Sequence, residues 1–589
     1  MAERENGYCR DGAHWSLFKN ARKPAIFEVK IFKLTVFYLL QHLSFTPHHI
    51  SYSEGANTAY RMENSTPPPS SLHNSYSHRL PHLTYLTPLL RPYIYIPLLL
   101  TAYILYHRYL TGLSHIPGPF SGTFSNFWKI SAAWHEEMPK RNIAAHRKYG
   151  PLVRVGANMI SVDDPAAMST IYGFKPIYSK TAFYPIVEAL YKGKLLANLF
   201  TTRSEQYHAR LKRASVTAYS MTALADLEPH VQPVIDLFLK RIDEVGAGGT
   251  KAFDIGSWLQ FFTFDALGEI NFSEQLGFLE TGTDVGKSIG TIDGLLAYLS
   301  VVGQAPWMHR FLLGNPVLPH VLPLESSNEV QNFAIKMINK RKSPSTTKPH
   351  RDILARLLEV SEKDPSKLTF EEIIALTTTN LIAGSDSTAI GLRAILYFLC
   401  RTPRAHSRLQ AEVDGAFDSG ALTSPVKYAD GTKLPYLNAV VTEALRAHAA
   451  TGFVLEREVP EGGVTISGQY IPAGTIVGVN SWVMHANKSV YGEDAESFRP
   501  ERWLDEENEG EAWEERVREM KRCNMAFGAG PRVCIGRNIS MMEIIKFIPA
   551  LVRMYDFRLA DPEKEWKVLG HWFTKQSGMD MIFVERVHA

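Results

Sequence analysis

Apolar positions in this chain form long helix-spaced runs through its middle and short strand-like runs near its end. Most of residues 200–460 read as helices. Residues 464–485 read as short strands, with Gly468 and Pro472-Ala473-Gly474 as turns. One helix start is sharply marked. Thr369-Phe370-Glu371-Glu372 is a capping box, in which Thr369 covers the first turn and Glu372 reaches back to it. A long apolar helix follows and is expected to end near Cys400, before Pro403. The fold class is therefore mainly α with a minor β region.

The front of the chain has a different pattern. Ser65 to Pro81 is rich in Ser, Pro, His and Asn, and residues 1–80 read as a poorly ordered extension. Phe27 to Phe45 is apolar but broken by Lys30 and Lys33, and Met62 offers an alternative start. Leu80 to Tyr106 carries one formal charge, Arg91. A membrane span needs about 20 apolar residues. This stretch reaches that length only by running on past His107 and Arg108 or back past Arg91, and long basic side chains at its ends can snorkel to the interface. Its tyrosines suit an interfacial belt. The expected organisation is an extension (1–80), a membrane anchor region (81–113) and one large domain (114–589).

Composition adds limits. With 45% hydrophobic and 21% charged residues the chain is an ordinary globular protein, and its net charge of +3 gives no case for nucleic acid. Cys9, Cys400, Cys523 and Cys534 contain no CxxC pair and no disulfide framework, which suits a reducing compartment. No Gly-rich dinucleotide fingerprint follows a strand, so the chain shows no flavin or nicotinamide module of its own.

The chemistry centres on Phe527-Gly528-Ala529-Gly530-Pro531-Arg532-Val533-Cys534-Ile535-Gly536. Gly530 and Gly536 flank one cysteine and allow a tight turn close to a flat ligand. Inward-turned backbone N–H groups would tune the sulfur. Arg532 can fork onto a carboxylate, and Phe527 can pack on a ring. The segment resembles the heme-binding loop of the cytochrome P450 family, F-x-x-G-x-R-x-C-x-G, at every fixed position. The resemblance covers roughly residues 115–589. It implies heme b (iron protoporphyrin IX) with Cys534 as the axial thiolate and metal ligand, a donor that favours O–O cleavage.

Further residues follow from that resemblance. Ala383-Gly384-Ser385-Asp386-Ser387-Thr388, inside the long apolar helix, resembles the family's oxygen-activating motif, with serine where threonine is usual. Small Ala383 and Gly384 would leave room for a ligand. Asp386, Ser387 and Thr388 are the implied proton-delivery residues. Arg457, His208 and Lys212 are implied at the heme edges; Lys212 stands where arginine is expected and lacks its fork. Glu443, Arg446 and Arg502 are implied as a buried structural charge network. Phe183, Tyr184, Ala383, Thr451, Phe453 and Phe573 are implied to line an apolar substrate pocket. Ile116-Pro117-Gly118-Pro119 resembles the hinge after a microsomal anchor, implying a single-pass protein of the endoplasmic reticulum with a cytoplasmic catalytic domain.

Residues 180–320 are most similar to fungal members of the pisatin demethylase type. Together these imply a monooxygenase acting on a lipophilic small molecule with O2, by hydroxylation or demethylation in fungal secondary metabolism. NADPH-cytochrome P450 reductase would supply electrons through a basic face formed by Arg210, Lys212, Arg213, Lys521, Arg522 and Arg537. Two rivals stand beside this reading: an isomerase or dehydratase of the same fold, and a non-catalytic heme-binding protein. The acid–hydroxyl pair argues against both.

Overall fold

The computed structural model describes residues 87–313, 327–342 and 351–587. The extension, including Phe27 to Phe45, lies outside them. The first described helix, α1 (Thr87–Leu105), contains Pro92 and Pro97 and exposes Tyr93, Ile94, Leu98 and Leu99. Its exposed side chains are therefore largely apolar. By length and composition Val285–Val302 is apolar enough to cross a membrane, but half of that stretch is buried in the fold, as in an ordinary core helix.

The core is helical. α2 (Glu205–Ser215) leads to α3 (Met221–Gly246), which buries Leu224, Leu227, Val231, Val234, Phe238 and Ile242, one stripe at helical spacing. α4 (Ile255–Phe272) is buried on nearly all sides. Across it lies α5 (Phe370–Arg401), the long helix expected from the capping box. Both halves of that box form: Thr369 Oγ1 accepts from the Glu372 N–H at 3.3 Å, and Glu372 accepts from the Thr369 N–H at 2.9 Å. A Cβ on Gly384 would lie 2.9 Å from Leu267. Its small size therefore lets α5 pack closely on α4. α6 (Pro435–Ala447), α7 (Ser481–His485) and α8 (Arg537–Met554) complete the frame of the site.

Strands are few. β1 (Leu152–Gly156), β2 (Met159–Val162), β3 (Arg457–Glu458) and β4 (Ile476–Gly478) form a sheet in the order β1-β2-β4-β3. β2 and β4 run parallel, Ile160 opposite Val477; β3 is antiparallel to β4, Arg457 opposite Val477. The strands expected over 464–485 exist up to Gly478. Beyond it the chain turns helical in α7, because the Asn480 side chain caps the Trp482 N–H at 2.9 Å.

Candidate functional site

The cysteine loop is built from both ends. The Cys534 N–H donates to the Phe527 carbonyl at 2.9 Å, closing a hairpin-like turn that ends at α8. Gly528 and Gly530 sit at φ +73° and +66°, where a side chain is strained. Gly536 does not: its φ is −83°, and an added Cβ would rest 3.9 Å from the Cys534 sulfur. The tight turn is made four and six residues before Cys534, at Gly530, as expected, and at Gly528.

Cys534 is exposed. Atoms beneath the thiol nonetheless crowd it, so burial pushes its pKa up; backbone N–H groups of Gly536 and Arg537, and the Arg537 charge, pull the other way. The exposure describes the outward side of the sulfur and the crowding its protein side. A sulfur that opens outward, with N–H groups converging on it, has the donor set for a metal bound on its open face.

A buried cation cluster stands beside the loop. Arg457 is fixed by β3 and donates to the Glu456 carbonyl at 2.8 Å and to the Tyr184 hydroxyl at 3.3 Å. Lys212 donates to the Pro531 carbonyl at 2.8 Å, tying α2 to the loop. Arg532 forks onto Glu205, at 2.7 Å from Nη2, an acid that sequence reading did not anticipate. His208 is buried, and its pKa falls to about 3 through burial and then the charges of Arg532, Lys180, Lys212 and Arg457. Lys180 is the member that sequence reading missed. Its amine is buried against the Phe200 carbonyl at 2.6 Å, and its pKa lies well below the usual lysine value through burial and the charges of Arg457 and Arg532.

Among the described residues Glu205, through Arg532, is the acid that pairs with this cluster. A buried surplus of cations is costly unless anions meet it. The carboxylates of a heme edge are such anions, so the cluster and the open sulfur both fit the implied group. Lys180→Met is expected to speed heme loss by about tenfold, the order of one charged hydrogen bond, while stabilising the heme-free protein by relieving repulsion. Transfer of heme to an apo-globin acceptor measures the first, and thermal unfolding of both forms the second. An unchanged transfer rate would remove Lys180 from the cluster's role.

The three residues of the acid–hydroxyl motif face different ways. Asp386 is held against α4 by a hydrogen bond from the Gln260 amide, itself fixed by Arg393 at 3.0 Å. Its other oxygen is buried without a partner, and burial pushes its pKa up to about 6, with Lys575 opposing and Asp293 adding to the shift. Ser387 Oγ donates to the Ala383 carbonyl at 2.8 Å, and Thr388 Oγ1 lies 2.9 Å from Ser540 Oγ on α8.

Glu443, Arg446 and Arg502 form the network expected of them. Arg446 forks onto Glu443 at 2.8 Å through both Nε and Nη2, and Arg502 Nε meets the same carboxylate at 2.9 Å. Trp503 Nε1 adds a bond at 2.9 Å. The network reaches the loop: His485 bonds the Arg446 carbonyl at 2.9 Å and accepts from the Met525 N–H at 2.8 Å.

Of the pocket residues, Phe183 and Phe453 pack with Trp572 at ring separations of 5.3 and 6.2 Å, and Thr451 bridges Phe573. Tyr184 joins this aromatic group to the cations through its hydroxyl. The basic face is partly spent: Arg210 pairs with Glu372 and Arg522 with Glu519. A cleft of ≈ 600 Å³ lined by Arg408, Glu412, Tyr436 and Glu506 shares no residue with this site.

A family model described as Cytochrome P450 matches residues 117–581. Cytochrome P450 monooxygenase cicH of Emericella nidulans is 37% identical over 482 residues, covering 80% of this chain and 94% of that protein. A cytochrome P450 monooxygenase of Aspergillus terreus is 36% identical over 467 residues, covering 78% and 93%. Cytochrome P450 monooxygenase gsfF of Penicillium aethiopicum is 34% identical over 492 residues, covering 82% and 95%.

Proposed function

We propose, on the premise that this chain belongs to the cytochrome P450 family and is a monooxygenase of it, that it oxidises a lipophilic small molecule of fungal secondary metabolism by hydroxylation or demethylation. The observation that carries the residue assignment is Cys534, exposed on one side with backbone N–H groups turned toward its sulfur. In this reading Cys534 ligates heme iron, and Arg457, Arg532, His208, Lys212 and Lys180 hold the heme carboxylates. Heme bound there supplies the iron at which O2 is activated.

The chain's own residues do the rest. The Asp386 carboxyl, with a pKa near 6 and one oxygen without a hydrogen-bond partner, holds and releases a proton from the α4 side, while the Ser387 hydroxyl rests on the Ala383 carbonyl. Phe183, Phe453 and Trp572 exclude water and favour an apolar substrate. Electrons come from a separate NADPH-dependent reductase at the cysteine-loop face, where Arg213 and Arg537 remain outside the ion pairs that occupy Arg210 and Arg522. The exposed apolar surface of α1 supports attachment to a membrane; in this reading that membrane is the endoplasmic reticulum and the catalytic part faces the cytoplasm.

The test is turnover with reductase, NADPH and isotopically labelled O2 against a panel of lipophilic compounds. Product carrying one labelled oxygen, formed only with NADPH, is expected. Product formed without NADPH and without label would instead establish an isomerase or dehydratase.

A further inference from the structure

The end of α1 is held by an arginine that has no place in the roles assigned so far. Leu105 keeps helical angles (φ −63°, ψ −44°), and the chain runs on into a wider helical turn, Tyr106–Leu110. Such wide turns are rare and recur at functional sites. A helix ends on carbonyls that lack N–H partners and on the negative pole of its dipole. Arg154, on β1 and 1% exposed, fills that place. Its Nη2 donates to the His107 carbonyl at 2.5 Å and to the Thr111 hydroxyl at 3.1 Å. Its Nη1 donates to the carbonyls of Arg108 and Leu113, both at 3.3 Å. A further bond from Nη2 to the Ala157 carbonyl, at 2.6 Å, ties the guanidinium back to its own hairpin. Burial, and then the Arg108 charge, pull the Arg154 pKa down to about 10, so it stays a cation at neutral pH. A buried cation is costly unless dipoles or charges meet it. Here the carbonyls at the helix end meet it.

The segment that follows is seated as well. Gly112 sits at φ +75°, and a Cβ there would lie 3.1 Å from Pro472. Leu113 and Ile116 are buried together with Leu152, Ile160 and Ile471. The Arg154 N–H donates to the Pro117 carbonyl at 2.8 Å, and a Cβ on Gly118 would lie 2.2 Å from the Arg154 carbonyl oxygen. Nearer the surface, Arg108 donates to Thr123 Oγ1 at 2.7 Å. Residues 113–118 therefore lie flat against β1.

We propose that Arg154 is a positioning residue that clamps the end of the anchor helix to β1, so that the catalytic part meets a lipid surface in one fixed pose rather than on a loose tether. The proposal rests on the membrane-attachment reading above. The dimensions agree. The 19 residues of α1 and the 5 of the wide turn rise about 36 Å, enough to cross about 30 Å of hydrocarbon. Tyr106 and Tyr109, both exposed, suit the interface at that end of the helix. The clamp then stands where the helix leaves the bilayer, and the guanidinium passes the helix's tilt on to the sheet that carries Arg457.

The experiment uses full-length, heme-loaded protein in phosphatidylcholine nanodiscs. Spin labels that need no cysteine replace Leu99 on α1 and Lys148 on the catalytic part, both exposed positions. The distance between them is read by double electron–electron resonance. Wild type is expected to give one narrow distance. Arg154→Met should lose that narrow peak and give a broad distribution. Its reduced CO spectrum should match wild type, because the heme site is untouched, which separates a loosened joint from an unfolded protein. Arg154→Lys keeps the charge but reaches fewer carbonyls. Its distribution should fall between the other two, and it carries the test where Arg154→Met does not fold. A broad distribution in wild type overturns the proposal, and so does a narrow one that survives both substitutions. Full-length protein that stays in solution when offered phosphatidylcholine vesicles removes the anchor reading itself, a distinguishable result.

Discussion

Arg446→Ala is expected to destabilise the protein by about 3–5 kcal/mol, a large part of the 5–15 kcal/mol available to an ordinary domain. Arg446 makes two bonds to Glu443 and three to the carbonyls of His485, Ala495 and Ser497. Its side chain and that of Glu443 are 2% and 0% exposed, so water cannot replace what is lost. Glu443 would keep Arg502 and Trp503, but the buried carbonyls of His485 and Ala495 would lose a donor. The loss should also loosen the cysteine loop, because the Arg446 guanidinium holds the His485 carbonyl and the His485 ring accepts from the Met525 N–H.

Burial alone would push the Glu443 pKa up, but Arg446 and Arg502 hold it below the usual glutamate value. The network's stability is therefore fully present above pH ~4.3, the unfolded value, and is lost as pH falls through the depressed one. Chemical denaturation at neutral and acid pH measures both effects. A cost under about 1 kcal/mol would mean the network is ornamental.

Gly530→Ala is the second large effect. The added Cβ would lie 1.7 Å from the Tyr172 carbonyl oxygen, at a φ of +66° that alanine resists. Tyr172 cannot yield easily: its hydroxyl donates to the Leu455 carbonyl and accepts from the Val479 N–H, both at 2.8 Å. Backbone strain and overlap together cost about 3 kcal/mol or more, borne by the loop that carries Cys534. Heme content after purification is expected to collapse in Gly530→Ala. In Gly536→Ala, where the new methyl meets nothing closer than the sulfur at 3.9 Å, it should hold. Equal heme content in the two variants would mean that the loop's backbone does not position the sulfur.

Those two sites differ in how far the chain announced them. The loop is contiguous, so its cysteine and flanking glycines stood side by side in the sequence, although which glycine needs a positive φ became visible only in the fold. The Glu443–Arg446 pair was legible as i,i+3 neighbours, and the later arginine through a motif. The carbonyls that Arg446 binds come from two further segments, α7 and the loop at 495–497, and carry no signal of their own. α5 was legible because a capping box opens it and Pro403 closes it.

The short helix at Ser481–His485 was missed although Asn480 is a capping residue, because five residues are too few for periodicity. Lys180 was missed because a lysine in a loop is an ordinary surface residue until tertiary packing buries it. Packing sets Lys180 among residues 208, 212, 457 and 532.

The central claim is that Cys534 is the sulfur on the iron. The most direct measurement is the absorption spectrum of the reduced, CO-bound protein, wild type beside Cys534→Ser. The account predicts a strongly red-shifted Soret band in wild type that disappears in the variant. A band of the histidine-ligated kind in wild type, or a red-shifted band that survives Cys534→Ser, would contradict it.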